Sequence, residues 1–130
     1  MGRHKCVFCS IPHNQDQQRI LYENDRLYVI KDIRPCAKHH FLVISKRHIY
    51  DCHSLKHVDL PLLEEMIEVG KETLRKQGAT DDIILGFHRR PWHTIGHLHL
   101  HCIGLPFKNC WSKFSHSAPF LVSAEKVKGW

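Results

Sequence analysis

The sequence predicts an α+β chain, with a mostly antiparallel sheet of about five strands beside one long amphipathic helix. Three observations carry this expectation. Two runs rich in β-formers, RLYVIKDI (26–33) and HFLVISKRH (40–48), flank a proline-marked turn, RPCAK. A single stretch of helical periodicity follows, HVDLPLLEEMIEVGKETLRKQG (57–78). Beyond it lie two more apolar runs, DIILGFH (82–88) and HLHLHCIGL (97–105).

Each element has its own reason. The first two runs read as a hairpin with a longer loop, because proline punctuates the turn and cannot donate to a ladder. In the helix, Leu62, Leu63, Met66, Ile67 and Leu74 recur at three- and four-residue spacing, which gathers them on one core-facing stripe. Asp59 is suited to cap its start and Gly78 to end it. RRPWHTIG (89–96) is a polar loop, and FLVSA (120–124) supplies a fifth short strand in an otherwise irregular tail.

Size and composition bound the rest. A chain of 130 residues, 42% hydrophobic and 25% charged, suits one domain over 1–130 with a single core. No apolar run approaches the roughly 20 residues that span a bilayer, so no membrane partner is expected. MGRHKCVFC lacks the apolar stretch of a secretory signal, and Cys6 stands where a myristoylation signal wants Ser or Thr. A cytoplasmic or nuclear setting follows as the expectation. There the six cysteines are reduced thiols, and only Cys6 and Cys9 are close enough to be a metal pair. Such a pair alone is also compatible with redox chemistry or with two thiols in a core turn. A net charge of +6 favours anionic partners, although no basic run interleaved with aromatics marks a nucleic-acid binder. Nucleic acid is possible but not favoured.

The distinctive stretch is GHLHLHCI (96–103). On a strand, alternate side chains share a face, so His97, His99 and His101 line up while Leu98, Leu100 and Cys102 point to the core. Imidazole binds zinc, and it also serves as nucleophile or acid near neutral pH.

His-Leu-His-Leu-His-Cys-Ile resembles the motif of the histidine-triad superfamily, nucleotide hydrolases and transferases that act on an α-phosphate. The likeness extends beyond the motif. VIKDIRPCAKHHFLVISKRHI (29–49) and CVFCSI (6–11) resemble segments of the HINT branch, and GFHRRPWHTIGHLHLH resembles the run into the triad of its third, aprataxin-related member. The similarity covers about residues 6–105, the motif-bearing core.

This resemblance implies a HIT-like fold, with a second, short helix beside the long one. It implies that His99 is the nucleophile and that His101 contacts the phosphate and helps protonate the leaving group. Thr94 falls where the family places a phosphate-binding serine. Asp32 matches the aspartate that binds ribose hydroxyls. Val7, Phe8, Ile11 and Ile30, with Ile33, match the apolar wall of a purine pocket, and His88 is placed in the site. Cys6, Cys9, His48 and His97 match the ligands of a structural zinc. No organic cofactor is expected.

Transferases of the superfamily carry glutamine at the third triad position. His101 therefore favours hydrolysis of purine nucleoside phosphoramidates or acyl-nucleotides, with an AMP-like substrate and a homodimeric state by resemblance. A DNA-adenylate hydrolase resembling aprataxin is the alternative, weakened because the tail offers only Cys110 and His116 towards that family's zinc finger. A dinucleoside-polyphosphate hydrolase fits the hairpin and GFH stretches less well. A nucleotide-binding or regulatory module with weak turnover is a further alternative, against which the intact His99, His101 and Thr94 argue, and a zinc-dependent interaction module would leave His99 and His101 unexplained.

Overall fold

The computed structural model describes residues 6–79, 82–92 and 95–130. Its centre is one antiparallel sheet of strands β1 (Ile20–Glu23), β2 (Leu27–Lys31), β3 (Ala37–Ser45), β4 (Ile83–His88), β5 (His99–Phe107) and β6 (Leu121–Ser123). The strand order is β1-β2-β3-β5-β4-β6. The α+β expectation holds, with six strands rather than about five. The additional strand, β1, is a short edge strand with mostly exposed residues and an irregular register against β2. ILYE lacks the buried alternation that marks a strand in sequence.

Among the described residues four α-helices accompany the sheet: α1 (Val7–Ser10), α2 (Leu60–Lys76), α3 (Cys110–Ser115) and α4 (Ala124–Lys128). Helix α2 lies across one face of the sheet and buries Leu63, Met66, Ile67 and Leu74 against Leu98, Leu100, Cys102 and Val43. Gly70 lets the helix come this close, because a Cβ there would stand 2.6 Å from Cys102 Sγ. Gly78 ends the helix as expected, at a left-handed φ of 91° that costs glycine little.

Asp59 departs from its expected task. It makes no side-chain cap to α2. Its Oδ2 instead accepts the Lys56 N–H at 3.0 Å, closing the single turn before the helix, while Oδ1 pairs with Arg47. The two oxygens are thus spent one turn early.

The opposite face carries a second apolar layer. Phe8 and Ile11 from the N-terminal segment pack on Tyr28, Ile30, Leu42 and Ile44. The buried Tyr28 hydroxyl donates to the Phe8 carbonyl at 2.5 Å, pinning that segment to the sheet. Among the described residues no helix is long and apolar enough to cross a membrane.

Candidate active site and metal centre

Strand β5 emerges from the layer beneath α2 with its histidines directed to the other face. His99 is opposite Ile44 and His101 opposite Leu42 on β3, while Gly86 of β4 lies across from His101. The strand begins at His99, so His97 belongs to the bend before it rather than to the strand as expected. All three imidazoles are buried.

The hydrogen bonds fix which nitrogen of each ring carries the proton. His99 Nδ1 lies 2.6 Å from the His97 carbonyl and must donate to it, which leaves His99 Nε2 with a free lone pair. A second set of bonds starts at Cys36. Its N–H donates to His40 Nδ1 at 3.0 Å, so His40 carries its proton on Nε2. His40 Nε2 donates to His101 Nδ1 at 2.9 Å, with Asp32 Oδ2 a further 3.3 Å neighbour. His101 therefore holds its proton on Nε2. That buried atom has no partner within the described residues. An unpaired buried donor is costly unless a ligand satisfies it. A free lone pair and an unpartnered donor thus stand on adjacent rings, whose centroids are 5.0 Å apart.

Burial governs the charge of the cluster. It lowers His40 to about 3 and His99 to about 4, the neighbouring imidazoles adding to the effect in both. The His97 carbonyl opposes the shift at His99 without reversing it. Burial, followed by His99, His88, His40 and His116, pushes His101 well below its ordinary value. The rings are neutral at neutral pH. Burial, then Asp32, pushes the Cys36 thiol up to about 12, so it stays protonated beside them.

A cavity of about 270 Å³ opens above the triad. Val7, Phe8, Ile11, Ile30 and Ile33 line it, as expected, together with Asp32, His99 and His101. The Phe8 ring sits edge-on to His99 at 5.0 Å. Arg19, Arg34, Leu42 and Ile95 complete the lining. Asp32 Oδ1 accepts the Arg34 N–H at 2.8 Å, which holds the carboxylate at the rim. Thr94, expected to bind phosphate, lies outside the described residues.

His88 does not line this cavity. It sits on the far side of His101, ring centroids 4.5 Å apart, and its Nε2–H donates to the Ser115 carbonyl at 3.1 Å. His40 and His116, which carried no expected role, join the cluster. His116 is half-buried, and its ring lies 5.6 Å from that of His101. The residue His40 is recoverable only from the β3–β5 pairing, which brings it opposite Ile103.

Beside the triad, Cys6, Cys9, His48 and His97 place one ligand atom each within 4.8 Å of one another. Cys6 Sγ and Cys9 Sγ are 3.2 and 3.5 Å from His97 Nδ1, Cys9 Sγ is 3.2 Å from His48 Nδ1, and the two Nδ1 atoms are 3.1 Å apart. A tetrahedral two-sulfur, two-nitrogen zinc site has edges of about 3.3–3.8 Å, close to this set. His97 Nε2–H donates to the Ser45 carbonyl at 2.6 Å, turning the Nδ1 lone pair towards the cluster. The donor set fits zinc. By contrast, the groupings around His101 offer no such lone pair from that residue, because its Nε2 carries a proton.

A nucleophile-like lone pair on His99, a donor without a partner on His101 and a two-cysteine, two-histidine cluster beside them define a histidine-triad protein. The chain belongs to that family: the family described as "Scavenger mRNA decapping enzyme C-term binding" matches residues 5–116. More particularly, the chain is 45% identical over 101 residues to adenosine 5′-monophosphoramidase HINT3 of Xenopus tropicalis, covering 75% of this chain and 66% of that protein. It is 34% identical over 115 residues to the bifunctional adenosine 5′-phosphosulfate phosphorylase/adenylylsulfatase HINT4 of Arabidopsis thaliana, covering 87% of this chain and 79% of that one. Among solved structures, a HIT family hydrolase from Clostridium thermocellum superposes with a TM-score of 0.71 at 27% identity, covering 81% of this chain and 94% of the other. The chain spans slightly less than two thirds of the first relative's length.

Proposed function

We propose that this chain is a hydrolase that releases an AMP-like purine nucleotide from phosphoramidates or acyl-nucleotides through a nucleotidyl intermediate on His99. One observation carries the reading: His99 Nε2 has a free lone pair while the adjacent His101 Nε2–H is a buried donor without a partner. The names of the HINT3 and HINT4 relatives, both acting on adenosine 5′-phosphoryl compounds, agree with it.

In this mechanism the base occupies the apolar wall of Val7, Phe8, Ile11, Ile30 and Ile33, and Asp32 accepts from the ribose hydroxyls. The α-phosphate settles against His101 Nε2–H. Its negative charge offsets the burial penalty on the imidazoles, so the His40–His101 pair takes up one proton on binding, at His40 Nδ1 in place of the bond from the Cys36 N–H. His99 Nε2 attacks phosphorus, and the bond to the leaving nitrogen breaks. That nitrogen keeps the electron pair and takes the proton from His101 Nε2. In the second half, water gives a proton back to the pair as it attacks phosphorus and displaces His99. Thr94 is the proposed further phosphate contact.

Cys6, Cys9, His48 and His97 hold a structural zinc in this reading. With four protein ligands it has no open position for substrate, and its contribution is to fix the bend before His99. A homodimer and a cytoplasmic or nuclear setting remain part of the same proposal. The test is steady-state hydrolysis of an adenosine phosphoramidate by the wild type and by His99→Ala. A loss of at least about a thousandfold in kcat supports the reading, and retained turnover refutes it.

A further inference from the structure

Four aromatic rings that are far apart in the sequence form a row on the surface beside the triad. Trp92 meets Phe120 with ring centroids 5.0 Å apart, Phe120 meets Phe114 at 5.0 Å, and Phe114 meets Trp111 at 5.7 Å. None of the triad chemistry uses them. Three are unusually open for their size: Trp111 is 73% exposed, Phe114 55% and Trp92 46%. Large exposed apolar rings in contact with one another mark a binding surface more often than an accident of packing.

Charge says what kind of partner fits. From Ile83 to Ala124 the chain contains no Asp or Glu, although it carries Arg89, Arg90, Lys108 and Lys113. Arg90 is committed to Asp51. Lys113, between Trp111 and Phe114 on α3, is exposed, and no carboxylate among the described residues pairs with it or with Lys108. A row of open ring faces beside unpaired cations, on a stretch of chain without acidic residues, is what stacked bases and a phosphate backbone require. A purely apolar protein partner would have no use for the cations.

The row also has a direction. It runs to the end of α3, where the Ser115 carbonyl accepts from His88 and His116 lies beside His101. We infer that this face binds single-stranded nucleic acid by stacking its bases on Trp111, Phe114 and Trp92, with one end of the strand at the His88 and His116 side of His101. The sequence conceals this surface because no basic run is interleaved with aromatics; the fold assembles it from Trp92, α3 and the turn before β6.

The test is fluorescence anisotropy of an unmodified 12-nucleotide single strand titrated with the full chain at several salt concentrations. Because the strand carries no nucleotidyl adduct, binding is read independently of hydrolysis. The expected result is salt-dependent binding that Trp111→Ala with Phe114→Ala weakens about tenfold or more, while hydrolysis of a small adenosine phosphoramidate stays within about twofold. Lys113→Glu leaves the rings intact; it should also weaken binding and flatten the salt dependence. Unchanged affinity in the ring variant overturns the inference. So does tighter binding to vesicles of anionic lipid than to the oligonucleotide.

Discussion

His40 Nε2 lies 2.9 Å from His101 Nδ1, and the Cys36 N–H behind His40 decides which of the two atoms donates. A backbone amide thereby sets the tautomer of a ring two hydrogen bonds away across the sheet, and through it the proton that faces the cavity. His40 touches neither the cavity nor the proposed nucleophile His99 directly, so in the proposed reaction it is a positioning residue.

Replacing His40 by alanine should lower kcat by about a hundredfold with amine leaving groups. The effect should shrink with acyl or other leaving groups that depart without a proton. Comparing kcat across a leaving-group series for both proteins checks this. An equal loss across the series would show a merely structural role.

The same burial makes the fold acid-sensitive. His40 has a folded value of about 3, below the ordinary 6.5, so between those values the unfolded chain binds more protons than the folded one. Stability is therefore unaffected above about pH 6.5 and falls as the pH drops towards 3, by up to about 1.4 kcal/mol per pH unit for one such imidazole. Urea midpoints between pH 7.5 and 5 should decline, and His40→Gln should decline less steeply. Parallel slopes for the two proteins would contradict this.

Tyr28→Phe removes the donor to the Phe8 carbonyl and leaves that buried acceptor unpaired. The expected loss is about 1–3 kcal/mol in urea unfolding. Phe8 also packs against His99 and lines the cavity, so KM should rise more than kcat falls. Kinetics on the purified variant separate the two effects.

Metal analysis of the purified chain should find about one zinc per molecule, absent from Cys9→Ser. Chelation should lower the melting temperature by several degrees, since closed zinc sites contribute directly to folding. His99 chemistry should persist in the stripped protein at reduced rate. A metal-free wild type that melts identically with and without added zinc would exclude the structural role.

What the sequence disclosed follows from range. The alternation of His97, His99 and His101 and the Cys6–Cys9 spacing are local patterns, and the long helix declares itself by periodicity. The apolar wall of the cavity was legible through resemblance, because the hairpin and the N-terminal segment carry matching residues. His40 and His116 were not legible, since their roles depend on β3–β5 register and on how the tail returns to the sheet. His88 was assigned to the site on its place in the GFH stretch, yet strand β4 delivers it behind His101. Asp59 looked like a helix cap in one dimension, but Arg47 and the Lys56 amide claim both its oxygens.

The most direct measurement is a single-turnover reaction of the wild type with an adenosine phosphoramidate, quenched on the millisecond scale and analysed by mass spectrometry of the digested protein. The account predicts a transient nucleotidyl adduct that maps to His99 and decays as AMP appears. AMP release with no adduct at any time point, or an adduct on another residue, would contradict it.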